Sequence, residues 1–201
     1  FDPWYASRTD SEDPERAVVE PPWMTGLSPD VRSTYPVSGI PWRTAMEYCR
    51  DVGGALPSEE QWEYAARGAE LRPHPWGDTS IDTAMMTVFR GEDGRPEPVG
   101  QSIQDRTPGT TSTVLFDMGG NVREWTQELY RSPRAGEDES WNQGERTYRA
   151  IRGLPLLDAF PDPLPDYGAA WRASRCATGS CASGTHLAEV GFRCVRTAQD
   201  R

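Results

Sequence analysis

The sequence has little of what several common classes of protein require. Its 201 residues include two histidines, and 21 Lys and Arg stand against 31 Asp and Glu, which gives a net charge of −10. Proteins bind nucleic acids and anionic membranes through clustered Lys and Arg, so this charge argues against both partners. No apolar run approaches the roughly 18 residues that a membrane-spanning helix needs, and we expect no transmembrane segment in this chain.

Sequence motifs of several enzyme classes are missing as well. There is no Gly-x-Ser-x-Gly element, no phosphate-binding P-loop and no zinc-type Cys-x-x-Cys pair. The adjacent acids Glu59 and Glu60 stand where a helix is predicted to start. Acids at this position interact favourably with the helix dipole, so we interpret them as stabilising the helix and not as acid–base catalysts. His74, between two prolines, is interpreted as a loop residue and His186 as a surface residue.

What the chain does contain is typical of an irregular α+β domain. Eight Trp accompany 18 Pro and 19 Gly, which favours many loops pinned by large aromatic side chains over long regular elements. One helix is predicted from Pro41, a residue suited to a first helical position, to about residue 52. A second begins at Ser58, which forms a capping-box pattern with Gln61, and ends at Gly68.

The chain divides into a short first segment and one folded domain. Residues 1–34 are rich in proline and acids and are predicted to be extended and solvated, with Trp4 and Trp23 as candidate anchors. Residues 35–201 are assigned to the domain. Because the chain opens on Phe1 rather than Met, we expect a processed or trimmed product.

Residues 114–126 combine hard oxygen donors with glycines at a turn. Asp117 and Glu124 supply carboxylates, and Gly119 and Gly120 allow the backbone to direct carbonyl oxygens toward a common centre. Such oxygen ligands are what a Ca2+ site requires. A Gly-Gly turn whose acids cap neighbouring amides explains the same residues without a metal, so these residues alone leave both interpretations open.

Further blocks accompany this turn in a fixed order. They are Tyr-Pro-Val at 35–37, Pro-Trp-Arg-Thr-Ala-Met-Glu-Tyr-Cys at 41–49, Leu-Pro-Ser-Glu-Glu-Gln-Trp-Glu-Tyr-Ala-Ala-Arg-Gly at 56–68, Pro-Trp-Gly at 75–77, Ile-Arg-Gly at 151–153 and Gly-Phe-Arg-Cys at 191–194. Together the blocks resemble the formylglycine-generating enzyme (sulfatase-modifying factor) family. The resemblance covers residues 35–196 and implies a loop-rich α+β fold related to that of C-type lectins. It also implies that the start of the family domain is trimmed here or supplied by another polypeptide.

The resemblance implies a structural Ca2+ at the turn. Its ligands would be the side chains of Asp117 and Glu124 and the carbonyl oxygens of Gly120 and Val122. A second calcium site of the family uses an Asn that follows an Ala, but here Ala84 is followed by Met85. Because a thioether is a poor ligand for hard Ca2+, we expect that second site to be lost.

The four cysteines give information on the cellular compartment of the protein. The resemblance implies that Cys49, on the first predicted helix, pairs with Cys194 near the end of the domain. Cys176 and Cys181 could close a small surface loop in which Gly179 provides the turn. An even number of cysteines with reasonable pairings favours an oxidising, extracytoplasmic location.

Catalysis is where the match to the family weakens. Family enzymes use two active-site cysteines to oxidise a sulfatase cysteine to formylglycine. When Arg175-Cys176 is aligned with the family's structural Arg-Cys block, the two catalytic positions fall near Asp166 and Trp171. Neither is a thiol, and carboxylate and indole cannot replace the soft thiolates that copper(I) requires.

An alternative alignment places cysteines at the two catalytic positions. Cys176 and Cys181 have the catalytic spacing themselves, and Arg175 would favour the thiolate. The chain would then be a copper-dependent formylglycine-generating oxidoreductase. Their short separation from Cys194 argues against this alignment, since the family's catalytic pair lies farther from the final block.

Two other groups of proteins with this fold fit less well. Iron-dependent sulfoxide synthases need several histidine ligands, and this chain has two histidines. The variable receptors of diversity-generating systems carry Asn-rich tracts near the end, and this chain has two Asn.

Two departures from the family pattern indicate a surface with another use. Arg152-Gly153 continues into Leu-Pro-Leu-Leu instead of Gly, Ser and an aromatic residue, and Arg123 replaces the usual Trp. The leucines could belong to the core, but if exposed they would form an apolar patch of the kind that marks a protein interface. The candidate interface residues are Leu154, Leu156, Leu157 and Trp171. The leading hypothesis is a non-catalytic, extracytoplasmic binding or assembly module, stabilised by calcium and disulfides, with protein partners that include a membrane-associated complex.

Non-reducing peptide mapping tests the cysteine assignments. We expect peptides in which Cys49 is linked to Cys194 and Cys176 to Cys181, with no free thiol in the oxidised native protein. A free or copper-bound Cys176 or Cys181 would instead favour the oxidoreductase.

Overall fold

A four-stranded sheet with two helices against it organises the part of the chain that the computed structural model describes. That part comprises residues 12–13, 16–77, 95–102, 105–108, 114–129, 148–153, 174–177 and 188–196. Its helical elements are a 3-10 turn at Pro22–Met24, α1 (Pro29–Arg32), α2 (Trp42–Asp51) and α3 (Glu59–Arg67). Its strands are β1 (Arg123–Leu129), β2 (Tyr148–Arg152), β3 (Ser174–Ala177) and β4 (Val190–Gly191). This mixture of short elements and loops confirms the predicted irregular α+β fold.

The two longer helices start and end close to the predicted residues. The Gln61 amide donates to the Ser58 hydroxyl (3.0 Å) and the Ser58 amide to the Gln61 side chain (2.8 Å), which confirms the capping box. The expectation that Pro41 is the first helical residue is wrong by one position. Pro41 has an extended ψ of 148° and is the N-cap of α2. None of the described helices has the length and apolar composition needed to cross a lipid bilayer.

The sheet has the strand order β3-β2-β1-β4. β2 pairs antiparallel with both β1 and β3, whereas β4 pairs parallel with β1. The register between β1 and β2 shifts between Trp125 and Leu129, an irregularity of the kind that bends a strand. The parallel pair places Gly191 opposite Glu124. The chain segment that follows β4 therefore lies close to the start of β1.

Buried aromatic side chains connect the sheet to the loops before it. The core cluster consists of Ile40, Ala45, Cys49, Leu56, Trp125, Ile151 and Val190. Trp125 is fully buried, and its indole N–H donates to the Ile40 carbonyl oxygen (2.7 Å). The indole N–H of Trp42 donates to the Thr126 carbonyl oxygen (2.7 Å). Trp125 is thus buried and Trp42 partly buried, and the polar edge of each indole keeps a hydrogen-bond partner.

The described part of residues 1–34 is not extended throughout. It contains the 3-10 turn and α1, and it is attached to the helices that follow. The Arg16 guanidinium pairs with the buried Glu47 of α2 (2.8 Å), and the Val19 amide donates to the Gly39 carbonyl oxygen (2.9 Å). The Trp23 ring lies 5.7 Å from the Tyr35 ring, as an anchoring role requires, whereas Trp4 lies outside the described residues. The domain boundary at residue 35 stays a prediction.

A disulfide joins the beginning and the end of the described domain. Cys49 of α2 is bonded to Cys194, which follows β4, across a sequence separation of 145 residues. Cys49 is fully buried. Because the bond closes a long loop, it restricts the unfolded chain and so stabilises the folded one.

The capping box gives a test of how α3 is held. Replacing Ser58 with Ala leaves the Gln61 amide without its acceptor, and we expect the free energy of unfolding to fall by about 1 kcal/mol. Urea denaturation measures this change. Ser28→Ala is the matched control: Ser28 caps α1, which has no buried residue, at a longer distance of 3.4 Å. Equal losses in the two variants would contradict the importance of this cap.

Candidate functional site

The turn before β1 is shaped by two residues with left-handed backbones. Asp117 has φ +57° and Asn121 has φ +66°, whereas neither Gly119 nor Gly120 is among the positive-φ glycines of the described chain. The positive-φ conformations of this turn therefore come from Asp117 and Asn121, and the expectation that the two glycines direct carbonyl oxygens toward a common centre stays a prediction. Gly119 is needed for space, because a Cβ there would lie 2.7 Å from the Trp76 ring. Asp and Asn adopt left-handed conformations more readily than other side-chain-bearing residues.

A buried carboxylate that the sequence motifs do not reveal holds this turn. The Asp105 side chain is fully buried and accepts hydrogen bonds from the amides of Gly119 (2.8 and 2.9 Å) and Gly120 (2.7 Å). Burial raises the pKa of Asp105 to about 7, although the two amide hydrogen bonds lower it. Asp105 lies 12 residues before Asp117 in a segment without a recognisable motif, so only its position in the fold identifies it.

The Glu124 carboxylate accepts three hydrogen bonds from two side chains. The indole N–H of Trp62, on α3, donates to Glu124 Oε2 (2.6 Å). Arg193 donates through Nε to the same oxygen (2.6 Å) and through Nη2 to Oε1 (2.5 Å). This two-pronged pairing of guanidinium and carboxylate is a strong, charge-assisted arrangement. The sequence predicts Glu124 as a calcium ligand, but no pattern in it indicates these two protein partners.

Arg193 also reaches the backbone of the turn. Its Nη2 donates to the carbonyl oxygens of Phe116 and Asp117, each at 3.3 Å. Burial lowers the pKa of Arg193, but the neighbouring carboxylates, Glu124 foremost, raise it above its usual value. Arg193 is therefore a permanent cation bound to the same turn that was predicted to bind a metal ion.

Three of the four predicted calcium ligands line one cavity. The cavity has a volume of about 260 Å³, and Asp117, Val122 and Glu124 contribute to its wall together with Asn121 and Arg193. Gly120 is not among its lining residues. Asp117 Oδ2 accepts from the Gly100 amide (3.0 Å), and burial raises the pKa of Asp117.

The charges around this cavity fit a cation. Among the described lining residues, two carboxylates, Asp117 and Glu124, face a single guanidinium. A divalent ion with oxygen ligands would offset the remaining negative charge. In the same part of the chain, no three His, Cys, Asp or Glu side chains form a metal-binding group, so such an ion would depend on backbone oxygens as well as on the two carboxylates.

Other sequence predictions fall on different parts of the structure. His74 stacks on Trp76 in a loop, with ring centroids 5.0 Å apart. Glu59 lies in the first turn of α3 as predicted, but it also pairs with Arg152 of β2 (3.0 Å) and so ties the helix to the sheet. Arg123 is mostly buried, lies 3.8 Å from Glu189, and burial lowers its pKa.

Several predicted site residues lie outside the described residues. They are Leu154, Leu156, Leu157, Asp166, Trp171 and Cys181, together with Ala84, Met85 and His186. For Cys176 the structure gives the backbone alone, which belongs to β3 and is paired with Arg149 of β2. The assignments of an interface, of a second disulfide and of a catalytic pair therefore stay predictions.

Comparison with known proteins agrees with this fold. The family described as "Sulfatase-modifying factor enzyme 1-like domain" matches residues 11–198. The chain belongs to this family. The match starts before residue 35, where the resemblance noted in the sequence begins, and so includes the segment that Arg16 and Val19 attach to the domain.

The relatives of this chain include proteins named as formylglycine-generating enzymes and proteins named as inactive forms. The formylglycine-generating enzyme of Mycobacterium tuberculosis is 37% identical over 186 residues, which cover 82% of this chain and 58% of the relative. The inactive C-alpha-formylglycine-generating enzyme 2 of Bos taurus is 27% identical over 190 residues, 92% of this chain and 58% of the relative. The serine/threonine-protein kinase Pkn1 of Chlamydia trachomatis is 30% identical over 144 residues, 69% of this chain and 20% of the kinase. The chain spans about half the length of the formylglycine-generating relatives that it matches.

The buried Asp105 predicts how stability depends on pH. Its pKa is about 7 in the folded protein and about 3.9 in an unfolded chain. Between these values the folded protein holds a proton that the unfolded chain has released, so the free energy of unfolding should decrease as pH rises from about 4 to 7 and then level off. Asp105→Asn should reduce this decrease in chemical denaturation curves recorded with a chelator.

The control for this experiment is Asp30→Asn. Asp30 is an exposed acid on α1, so the variant removes an equal charge without touching the turn. Identical pH dependence of stability in the wild type and in Asp105→Asn would contradict the role given to Asp105.

Proposed function

We propose that this chain is a non-catalytic member of the sulfatase-modifying factor family that works as a binding or assembly module. The observation that carries the proposal is the distribution of its thiols. Cys49 and Cys194 are joined in a disulfide, and when Arg175-Cys176 is aligned with the family's structural Arg-Cys block, the catalytic positions fall near Asp166 and Trp171. Without thiolates there, a copper(I) centre has no soft ligands.

Two relatives support a role that does not depend on turnover. The Bos taurus relative is named as inactive, and the matched part of the chlamydial kinase is 20% of that protein. The family domain thus occurs both in a protein named as inactive and as one part of a longer protein. A shared fold does not fix function, and a binding module needs only a shaped surface. We assign that surface to Leu154, Leu156, Leu157 and Trp171 and its partner to another protein, including one in a membrane-associated complex.

The disulfide supports an extracytoplasmic location. Cys49 is fully buried and its bond to Cys194 closes most of the domain. Disulfides that stabilise a fold persist in oxidising compartments and are rare in the cytosol. We therefore place the protein in the periplasm, at the cell surface or outside the cell.

A structural Ca2+ at the turn is the second part of the proposal. Asp117, Val122 and Glu124 line one cavity with a surplus of negative charge, and their oxygens are hard ligands of the kind that Ca2+ prefers. Gly120 would add a carbonyl oxygen. Once bound, the ion would supply charge neutralisation for buried carboxylates and would hold the turn on β1.

The second candidate function is the copper-dependent formylglycine-generating oxidoreductase, with Cys176 and Cys181 as its thiols. The observation that favours it is the 37% identity with a relative named formylglycine-generating enzyme. The assay is direct: copper-loaded protein is incubated with a Cys-x-Pro-x-Arg peptide, and the aldehyde product is sought by mass spectrometry. Conversion of the peptide would overturn the non-catalytic proposal.

The contact surface can be tested without knowing the partner in advance. Replacing Leu156 and Leu157 with Asp should abolish co-purification of a cross-linked partner from native membranes, because charged side chains disrupt an apolar interface. The melting temperature should stay close to that of the wild type, since the substituted residues contact the partner and not the core.

Leu129→Asp is the matched control for these substitutions. Leu129 is an exposed leucine on β1, so the variant makes the same kind of substitution, with one added charge instead of two, at a residue that is not assigned to the proposed surface. Retention of every association by the Leu156→Asp/Leu157→Asp protein would sink the proposed surface, and unfolding of that protein would place the leucines in the core.

Calcium removal gives an independent test. A ligand that binds only the folded state stabilises it, by about 2.7 kcal/mol when it is present at 100 times its dissociation constant. The melting temperature should therefore be lower in EGTA than in CaCl2, and Asp117→Asn should reduce the difference. Identical melting curves of the wild type in EGTA and in CaCl2 would count against the site.

A further inference from the structure

The geometry points to Arg193 as an internal competitor for calcium. We infer that its guanidinium holds Glu124 when the ion is absent and has to release at least one carboxylate oxygen when Ca2+ binds. The inference rests on the proposed calcium site and adds to it the residue that sets its affinity.

The first step of the argument is the hydrogen-bonding capacity of Glu124. Its Oε2 accepts from the Trp62 indole and from Arg193 Nε, both at 2.6 Å, and its Oε1 accepts from Arg193 Nη2 at 2.5 Å. A carboxylate oxygen has two lone pairs, so Oε2 is saturated and Oε1 retains one. A divalent ion on Oε1 would stand beside the guanidinium already bound there. The repulsion between these two cations would be strong at such a distance, because Coulomb energy rises as separation falls.

The second step concerns which partner of Glu124 can move. Trp62 is 1% exposed and belongs to α3, so it keeps Glu124 Oε2 in place. The Arg193 side chain is 27% exposed, and its remaining contacts with the carbonyl oxygens of Phe116 and Asp117 are long, at 3.3 Å. The guanidinium is therefore the partner that can withdraw toward solvent while the carboxylate stays oriented.

The third step is the anchoring of the Arg193 backbone. Cys194 follows directly and is bonded to Cys49 of the buried α2, while the next residue, Val195, exchanges two backbone hydrogen bonds with Ala55 (2.8 and 2.9 Å). The chain around Arg193 is thus fixed, and the change between the two states is confined to its side chain. Arg193 is the one cation among the described residues that line the cavity. It therefore neutralises Glu124 in the calcium-free protein and keeps that protein folded.

The experiment compares calcium binding in the wild type and in Arg193→Met, which removes the charge but keeps an unbranched side chain of similar reach. We expect isothermal titration calorimetry to show at least tenfold tighter Ca2+ binding by Arg193→Met. Its melting temperature in EGTA should be lower than that of the wild type, and its gain in melting temperature with CaCl2 should be larger. Arg193→Lys keeps a charge but not the two-pronged pairing, so its Ca2+ affinity should lie between those of the wild type and Arg193→Met. It also serves as a second test of the inference if Arg193→Met does not fold.

Two controls assign the effect to this ion pair. Arg123→Met removes an equal charge close to the turn, but from a residue that pairs with Glu189. A charge that acts only from a distance is partly screened, so the calcium affinity of this variant should stay within about twofold of the wild type. Adding Glu124→Gln to Arg193→Met should remove the gained affinity, because the carboxylate for which the two cations compete is then absent.

The outcomes separate this inference from the proposed calcium site. Binding by the wild type with unchanged or weaker binding by both Arg193 variants would overturn the competition and leave the site intact. Binding by Arg193→Met alone would support the competition and show that Arg193 suppresses the site in the wild type. No binding by any of these proteins would overturn both proposals.

Discussion

The buried carboxylate of Glu124 is the point through which distant parts of this chain are joined. It accepts hydrogen bonds from Trp62 on α3 and from Arg193 after β4, while Glu124 itself lies on β1. A charge removed from water is tolerated only when it is paired and hydrogen-bonded, so the three elements have to meet in one arrangement. The disulfide of Cys194 fixes the neighbouring backbone on α2. The Glu124 carboxylate therefore links α3, β1 and the segment after β4 at one point.

The same requirement explains the turn that precedes β1. Asp105 brings a second buried carboxylate to the amides of Gly119 and Gly120, and the left-handed backbones of Asp117 and Asn121 direct the chain around it. Among the described residues of the cavity, two carboxylates and one guanidinium thus lie in a small volume. The proposed calcium site draws on this arrangement, and under the inference above its affinity depends on how firmly Arg193 holds Glu124.

Membership of the sulfatase-modifying factor family defines the fold but not the reaction. The relatives include a protein named as a formylglycine-generating enzyme and one named as inactive, and the chain spans about half of their length. The described disulfide of this chain joins two parts of the fold. Because packing and catalysis use different residues, a fold can be kept while its function changes, and the proposed non-catalytic role rests on this independence.

Local patterns in the sequence were sufficient for features that depend on neighbouring residues. The capping box of Ser58 and Gln61, the two main helices and the acidic first turn of α3 follow from interactions within four residues. The order of the sequence blocks was sufficient for the family and for the α+β class. The pairing of Cys49 with Cys194 came from that resemblance, and no local pattern indicates it.

The tertiary structure alone decided which charges meet. Asp105 has no motif around it and becomes a site residue only because the fold brings it under the turn. Arg193 belongs to the Gly-Phe-Arg-Cys block, but its partner Glu124 lies 69 residues earlier in the chain. Contacts of this range depend on the parallel pairing of β1 with β4 and on the burial that makes an unpaired charge costly. The sequence contains these charged residues, but which of them are buried together, and at what cost in free energy, is determined by the folded chain.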